Sequence, residues 1–291
     1  MLSSKKRNIA TIIIIAVLVI GVFIALKKTP EKEPVKVVET PKFTEQVVGK
    51  SVEGRDITAY KYGNGKNKLL FVGGIHGGYE WNSVFLAYKF MDYLVANPNA
   101  IPANLTVTVI PSINPDGVFA VTGKDGRFTL DDVSTDKEIL ANGRFNANEV
   151  DLNRNFDCKW QPESMWKSKT VNAGGMPFSE PEAEALRGFV EANSPASVIF
   201  WHSQANAVYA SKCEGDILPV TLDIMNAYAE ASGYPAVKTF NAYPTTGAAE
   251  DWLASINIPS ITVELKTHET VEWEKNLAGI KALFEYFQTM P

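Results

Sequence analysis

The sequence predicts a single α/β domain with a mixed, largely parallel twisted sheet flanked by helices, preceded by one N-terminal transmembrane helix. Short β-branched runs alternate with helical patterns from residue 43 onward, which is typical of sheets covered on both faces. The 291 residues, 45% of them hydrophobic, suffice for one large core. Residues 9–26 carry no charge, and a helix of that length nearly crosses a hydrocarbon layer of about 30 Å.

The N-terminal region divides into a short basic tail (1–8), a transmembrane anchor (9–26) and a flexible linker rich in Lys, Glu, Pro and Thr (27–42). No small-x-small cleavage site follows the apolar segment, which favours an uncleaved anchor. A basic tail followed by an apolar core is the order of a signal sequence. We therefore expect a single-pass protein of the cell membrane whose domain, residues 43–291, lies outside the cytoplasm.

The first half of the domain contains an opening hairpin, two strands and one helix. Alternating runs separated by glycine turns predict the hairpin, and a helical pattern follows the first apolar strand. A turn-rich segment after the next strand begins a long irregular loop that ends at Asn155. The predicted elements are strands at 44–48, 57–62, 69–73 and 105–110 and a helix at 81–96.

The second half alternates helices with strands. Ser179 and Glu182 form a capping-box pattern with Pro181 near the helix start, so a helix should run to about Ala192. A buried strand then leads to His202. The remaining elements are helices at 217–232, 247–256 and 271–290 and a strand at 260–265.

Charge is distributed unevenly along the chain. The formal net charge is −5, and basic residues are concentrated before residue 43, so the domain itself is more acidic than the whole chain. An acidic domain argues against nucleic acid as a partner. No internal repeat is present, and we expect a monomer.

The two cysteines are Cys158 and Cys213. They are compatible either with one disulfide in an oxidising compartment or with two buried thiols. Both follow segments assigned to the functional site, which favours the disulfide.

His76 and Glu80 lie directly after one predicted strand, and His202 ends another. Parallel strands deliver the residues at their carboxyl ends to one crevice. Two imidazoles and one carboxylate form a Zn²⁺ site with an open position for water. The alternative is a loop histidine, a strand-end histidine and a helix N-terminal acid without metal.

Further motifs of the chain, together with the histidines, resemble the carboxypeptidase A-like zinc metallocarboxypeptidases over about residues 44 to 290. The resemblance implies one Zn²⁺ per chain, bound by His76, Glu80 and His202. The chain has one more residue between the first histidine and the glutamate than the family usually has, and it lacks the family's arginine there. The motifs are Gly74-Ile75-His76 with Glu80, Asn114-Pro115-Asp116-Gly117, Arg144 to Phe156, His202-Ser203, Tyr243 to Trp252 and Thr262-Val263-Glu264-Leu265.

Two catalytic roles follow from this resemblance. Glu264 matches the general base that takes a proton from water, the alternative being a strand-end glutamate paired with Lys266. Arg144 matches the cation that stabilises the developing oxyanion. Arg127 competes for that role because it lies nearer to Asn114 in the sequence.

The resemblance also implies substrate-binding roles. Asn153 and Arg154 match the clamp for a free C-terminal carboxylate, and a guanidinium suits that geometry. Tyr243 matches the tyrosine that closes over the substrate end. Glu250 occupies the position at the floor of the side-chain pocket, where a carboxylate favours a cationic side chain. His268 has no matching role.

We therefore expect a zinc metallocarboxypeptidase acting on peptides with a free C-terminal carboxylate, including cell-wall stem peptides or peptides ending in a basic or diamino acid. One alternative is an N-acyl amino acid deacylase of the succinylglutamate desuccinylase and aspartoacylase type, which shares the Asp-Leu-Asn-Arg motif. The other is a catalytically inactive, anchored binding module, which only the lengthened spacing from His76 to Glu80 favours.

Overall fold

A mixed sheet of eight strands dominates the computed structural model, which describes residues 43–290. The predicted tail, anchor and linker lie outside the described residues. No helix between residues 43 and 290 is long and apolar enough to cross a membrane. The strands are β1 (Thr44–Lys50), β2 (Asp56–Gly63), β3 (Asn67–Val72), β4 (Leu105–Ile110), β5 (Glu163–Trp166), β6 (Lys169–Asn172), β7 (Ser197–Ser203), β8 (Ala207–Ala210), β9 (Ala236–Val237) and β10 (Ser260–Leu265).

The main sheet has the strand order β1-β2-β4-β3-β7-β10-β8-β9. Its four central strands β4, β3, β7 and β10 run parallel. The pairs β1–β2, β2–β4 and β10–β8 are antiparallel, and β9 pairs parallel with β8. The mixed, largely parallel sheet expected from the sequence is therefore confirmed. Strands β5 and β6 form a separate antiparallel hairpin.

Seven α-helices accompany the sheet in the described part of the chain. The two short helices α2 and α3 occupy the segment predicted to be an irregular loop. The helices are α1 (Trp81–Ala96), α2 (Pro115–Thr122), α3 (Lys137–Asn142), α4 (Pro181–Asn193), α5 (Pro219–Ser232), α6 (Ala249–Ser255) and α7 (Trp273–Gln288).

Alternate residues of the central strands enter two apolar layers, one on each face of the sheet. Phe71 of β3 and Trp201 of β7 pack in the layer that contains residues of α1, α5 and α7. Leu70 and Phe200 point to the opposite layer, which contains residues of α4 and α6. This arrangement explains why the central strands read as continuous apolar runs.

The predicted capping box at the start of α4 does not form. Glu180 is the N-cap residue of this helix, and its side chain makes no capping hydrogen bond. Glu182 instead accepts a hydrogen bond from the backbone N–H of Val52 at 3.0 Å. Ser179 donates to the carboxylate of Glu180. The Ser179 hydroxyl and the Glu182 carboxylate therefore form other hydrogen bonds in place of the capping box.

Candidate metal centre and active site

The carboxyl ends of β3, β7 and β10 bring three of the predicted site residues together. His76 follows β3, His202 lies near the end of β7, and Glu264 is its direct neighbour across the parallel β7–β10 register. Side chains at this edge therefore meet although they are far apart in sequence, as expected for parallel strands.

A tight 3₁₀ turn, Gly77–Glu80, carries Glu80 back toward the histidines. Gly77 has a φ of +47°, and a Cβ there would lie 2.4 Å from the backbone oxygen of Gly143. A Cβ at Gly78 would lie 2.4 Å from a methyl carbon of Val121. The two glycines thus let the longer spacing fold without displacing Glu80.

His76, Glu80 and His202 form a buried group that could hold a metal ion, with one ligand atom from each within 4.8 Å of the others. Nδ1 of His202 lies 3.1 Å from Oε2 of Glu80. Nδ1 of His76 and Nε2 of His202 are buried without hydrogen-bond partners in the described chain. Two available imidazole nitrogens and one carboxylate fit Zn²⁺.

The protonation of these histidines reflects their surroundings. Burial, reinforced by the charge of Arg144, lowers the pKa of His76 well below its ordinary value, so its imidazole is neutral. Burial also acts to lower the pKa of His202, but the Glu80 carboxylate outweighs it and raises that pKa to about 9. A metal ion at this position competes with the proton of His202.

Asp151 connects the metal group to Arg144 and has no exposed surface. Its Oδ2 accepts a hydrogen bond from Nε of Arg144 at 2.9 Å and forms an ion pair with Nη2 at 2.8 Å, and its Oδ1 lies 3.4 Å from Nδ1 of His76. Asp151 is a site residue for which the sequence predicted no role. Its place in the quoted Asp-Leu-Asn-Arg motif was the available signal.

Arg144, rather than Arg127, lies at the metal group. The side chain of Arg144 is buried, and its Nη1 is 4.0 Å from Oε1 of Glu80. Its guanidinium stacks over Trp166 at 4.6 Å. Arg127 pairs with Asp92 and keeps half of its side chain exposed.

Glu264 faces the metal group from β10. Its Oε2 accepts the backbone N–H of Ala205 at 3.1 Å. Its side chain keeps some exposure, but desolvation of the carboxyl, reinforced by Glu80 and opposed by His202, raises its pKa to about 7. Among the ion pairs of residues 43–290 none joins Glu264 to Lys266, whose backbone N–H instead donates to Glu272.

Asn153, Arg154, Tyr243 and Glu250 line one cavity together with His202 and Glu264; we call it the Glu250 cavity. Oδ1 of Asn153 accepts the backbone N–H of Ala249 at 2.8 Å, so the Asn153 amide NH₂ is the group left to donate into the cavity. The Arg154 guanidinium is oriented by the carbonyl of Met165, at 3.0 and 3.2 Å.

The first turn of α6 places Glu250 and Asp251 in the same cavity. Oε2 of Glu250 is buried and has no hydrogen-bond partner among residues 43–290. Burial, reinforced by Glu250, raises the pKa of Asp251 to about 7. Lys212 and Lys238 also line this cavity, with exposed side chains.

A disulfide joins Cys158 to Cys213, with the two Cα atoms 5.7 Å apart. It links the segment that follows Arg154 to the segment whose Lys212 N–H donates to Asp251 at 3.0 Å. The disulfide that the sequence favoured over two buried thiols is therefore confirmed. It connects two segments that contribute residues to the lining of the Glu250 cavity.

A second space, the Lys167 cleft, meets the Glu250 cavity at the metal group. Both are lined by His76, Phe240, Tyr243 and Glu264. Only the cleft is lined by Tyr79, Arg144, Trp166, Lys167 and His268. Sequence reasoning missed Trp166 and Lys167, and it left His268 without a role.

A family model described as zinc carboxypeptidase matches residues 36–282. Among similar proteins, gamma-D-glutamyl-L-diamino acid endopeptidase 1 of Lysinibacillus sphaericus is 26% identical over 239 residues, covering 75% of this chain and 59% of the relative. Murein peptide amidase A of Escherichia coli K12 is 31% identical over 131 residues, covering 42% of this chain and 50% of the relative. The chain thus spans less than two thirds of the length of these relatives.

Solved structures show the same fold. The murein-tripeptide amidase of Escherichia coli O157 aligns with a TM-score of 0.57 at 22% identity, covering 85% of this chain and 92% of that one. Bovine thrombin-activatable fibrinolysis inhibitor aligns with a TM-score of 0.65 at 20% identity, covering 85% and 89%. The metal of the matching family is zinc, which confirms the expected cofactor. Since the family model covers most of the domain, the chain belongs to the zinc carboxypeptidase family.

Proposed function

We propose that the protein is a zinc-dependent carboxypeptidase that hydrolyses the C-terminal amide bond of peptides ending in a basic or diamino acid. Cell-wall stem peptides are the substrates that we favour. The observation that carries this proposal is the buried, unpartnered Oε2 of Glu250 in the cavity that Asn153 and Arg154 share with the metal group.

His76, Glu80 and His202 would hold the zinc, which acts as a Lewis acid and lowers the pKa of water when bound. The oxygen of a water molecule would attack the scissile carbonyl carbon while the Glu264 carboxylate takes its proton, and Glu264 would return that proton to the leaving amine as the C–N bond breaks. A pKa raised to about 7 by desolvation suits both transfers at neutral pH.

Arg144 stabilises the negative charge that develops on the scissile carbonyl oxygen. Asp151 holds the guanidinium through one hydrogen bond and an ion pair, so the donors are already oriented before the substrate arrives. The buried environment strengthens this interaction relative to water.

Asn153 and Arg154 bind the free terminal carboxylate, through the amide NH₂ and the guanidinium respectively. Tyr243 stands between the Glu250 cavity and the Lys167 cleft and contacts Phe240 edge to face at 4.9 Å between ring centroids. In this position its ring covers a bound terminal residue and excludes water from it.

Glu250 would select the side chain of the terminal residue. A cationic group entering the cavity gives the buried carboxylate oxygen the partner that it lacks. The names of two relatives, a gamma-D-glutamyl-L-diamino acid endopeptidase and a murein peptide amidase, support a diamino acid of the cell wall as that residue.

We further propose that residues 9–26 anchor the protein in the cell membrane with the domain outside. The uncharged N-terminal segment supports the anchor, and the Cys158–Cys213 disulfide supports an oxidising compartment. Peptides of the cell wall are within reach of such a domain.

The two alternative functions lose support in the structure. Glu80 reaches the histidines despite the longer spacing, which removes the only feature that favoured an inactive binding module. The Tyr243 to Trp252 segment, whose Glu250 lines the cavity next to the metal group, favours the peptidase over the N-acyl amino acid deacylase.

The test is a terminal-residue panel on the purified, zinc-loaded full-length chain. Peptides that differ only in their last residue would end in lysine, meso-diaminopimelate, leucine or phenylalanine, and amino acid release would be quantified. We expect kcat/KM to favour the two cationic residues, and Glu250→Gln to lose that preference. Glu285→Gln, an exposed substitution on α7 with the same change in charge, should keep it. Equal release of leucine and lysine would contradict the proposed specificity.

A further inference from the structure

The Lys167 cleft and the Glu250 cavity share His76 and Glu264 at the metal group and are otherwise lined mostly by different residues. If the terminal residue enters the Glu250 cavity, the cleft is the neighbouring space at the metal group that can receive the residue on the amino side of the scissile bond. The composition of the cleft therefore constrains that preceding residue, and this inference rests on the proposed function.

Two cationic side chains line the cleft, and one of them is already paired. Arg144 is bound by Asp151. Lys167 makes no ion pair within residues 43–290; its Nζ donates to the phenol oxygen of Tyr79 at 3.3 Å and lies 5.7 Å from the centroid of the Trp166 ring. Apart from Glu80 and Glu264, no carboxylate of the described chain lines the cleft. Lys167 is thus the cation available to a substrate carboxylate.

The backbone conformation at Lys167 indicates that the lysine side chain has a function. Lys167 and Ser168 form the turn between β5 and β6, and Lys167 has a φ of +56°. A side chain in this left-handed region costs about 1–2 kcal/mol relative to glycine, which adopts it freely. A lysine thus occupies a position whose backbone conformation costs less for glycine, and this lysine lines the cleft.

His268 also lines the cleft, and its hydrogen bonds indicate which ring nitrogen is an acceptor. Nδ2 of Asn82 donates to the carbonyls of Thr267 and Thr270 at 2.6 and 2.9 Å, so its Oδ1 can only accept. Ser203 Oγ therefore donates to Asn82 at 3.0 Å and accepts from Nδ1 of His268 at 2.6 Å.

The proton on Nδ1 determines the state of the other ring nitrogen of His268, Nε2. Burial lowers the pKa of His268, so the ring is neutral at neutral pH. With its proton on Nδ1, the ring has a lone pair on Nε2, which is buried and unpartnered in the described chain. An N–H group of a substrate would satisfy it.

We propose that the Lys167 cleft recognises a residue that carries a free carboxylate on the amino side of the scissile bond, with Lys167 binding that carboxylate and His268 accepting the residue's amide N–H. A γ-linked glutamyl residue carries both groups on its α-carbon. An α-linked glutamyl residue carries the carboxylate on its side chain instead.

The experiment compares peptides that differ only in whether that carboxylate is free or amidated. The zinc-loaded full-length enzyme would be given L-Ala-γ-D-Glu-meso-diaminopimelate and its D-isoglutamine counterpart, and separately the α-linked L-Glu and L-Gln peptides. We expect the free acid to be cleaved with about fivefold higher kcat/KM in the γ-linked pair, as for a partly exposed ion pair.

The variants assign the effect to one side chain. Lys167→Gln should remove the preference for the free acid. Lys169→Gln, an exposed lysine of the same hairpin that does not line the cleft, should retain it. A preference for the free acid in the α-linked pair alone would support the carboxylate site. It would also show that Lys167 binds a side-chain carboxylate rather than one on the α-carbon. Release without any preference in either pair would overturn the proposal and leave the proposed function intact.

A second variant tests the acceptor. His268→Asn can still donate to Ser203 but lacks the Nε2 atom. N-methylation of the glutamyl nitrogen should lower kcat/KM of the native enzyme by about two- to tenfold, the effect of one neutral hydrogen bond. It should have no effect in His268→Asn. An equal loss in both enzymes would refute the role of His268.

Binding separates failure of this inference from failure of the proposed function. If no peptide is cleaved, titration calorimetry with the dipeptides L-Ala-D-Glu and L-Ala-D-isoglutamine still reports on the cleft. About fivefold tighter binding of the free acid, lost in Lys167→Gln, would support the carboxylate site without catalysis. Equal binding of the two dipeptides would overturn it.

Discussion

Oε2 of Glu80 lies 3.1 Å from Nδ1 of His202, although 121 residues separate the two along the chain and Glu80 sits one position later than the family spacing places it. The backbone N–H of Ser203 donates to the same carboxylate oxygen at 3.1 Å. β7 thus supplies both a candidate ligand and the hydrogen bond that orients its neighbour, an arrangement that commonly tunes metal sites.

The glycine turn that allows this geometry should not tolerate a side chain. Gly77→Ala places a Cβ 2.4 Å from a backbone oxygen at a positive φ, so we expect a loss of about 1–3 kcal/mol in stability and weaker zinc binding. Gly175→Ala, where a Cβ meets nothing within 4 Å, is the matched control. Urea denaturation and zinc titration would measure both; equal stability of the two variants would contradict the role of the turn.

Glu264 should be essential for turnover but not for metal binding. Glu264→Gln keeps the shape of the side chain and removes the proton acceptor, so kcat should fall by about 10²–10⁴. Zinc content by elemental analysis should be unchanged, because Glu264 is not among the candidate ligands. If kcat falls by less than threefold, another group is the base.

Arg144 and Arg127 should behave differently on mutation to alanine. Arg144→Ala removes an oriented, buried cation next to Glu80, and we expect kcat to drop by about 10²–10³. Arg127→Ala removes an ion pair with Asp92 and a contact with the Tyr88 ring, both away from the metal group, and should leave kcat unchanged. Parallel steady-state assays on a single peptide decide between them, and a reversed pattern would restore Arg127 as the oxyanion donor.

Asp251 should make the free protein less stable as the pH rises toward neutrality. Its pKa is about 7 in the folded chain, against an ordinary value of 3.8, so the folded state holds a proton that the unfolded state has lost between these values. Stability from this group is therefore greatest below about pH 4 and falls until about pH 7.

Thermal unfolding between pH 5 and 8 would measure this effect. In Asp251→Asn the fall in the free energy of unfolding over this pH range should be smaller than in the native protein by about 1 kcal/mol or more. Asp131→Asn, at an exposed position, should show the same fall as the native protein. A decline of the same size in Asp251→Asn and the native protein would show that other groups cause it.

Much of the fold could be predicted because the spacing of apolar residues along the chain indicates which faces of strands and helices are buried. The apolar runs of β3, β7 and β10 identified strands buried on both faces, and the helices at 217–232, 247–256 and 271–290 correspond to α5, α6 and α7 within a few residues. α2 and α3 were missed because they are short helices within a turn-rich segment.

The site could be predicted in part for a related reason. Residue types with distinctive chemistry, such as His76 and His202, were visible in the sequence. Contacts that depend on tertiary structure were not. The hydrogen bonds that link Asn82, Ser203 and His268, and the position of Lys167 beside the metal group, involve segments whose proximity no local pattern reveals.

The central claim, zinc-dependent removal of a cationic C-terminal residue, is tested most directly by one measurement. Zinc content and release of meso-diaminopimelate from a stem peptide would be followed in the full-length chain before chelation, after chelation and after zinc is restored. We expect about one zinc per chain, loss of release on chelation and recovery with zinc. Zinc binding at His76, Glu80 and His202 without release of any terminal residue, or release that survives complete removal of the metal, would contradict the claim.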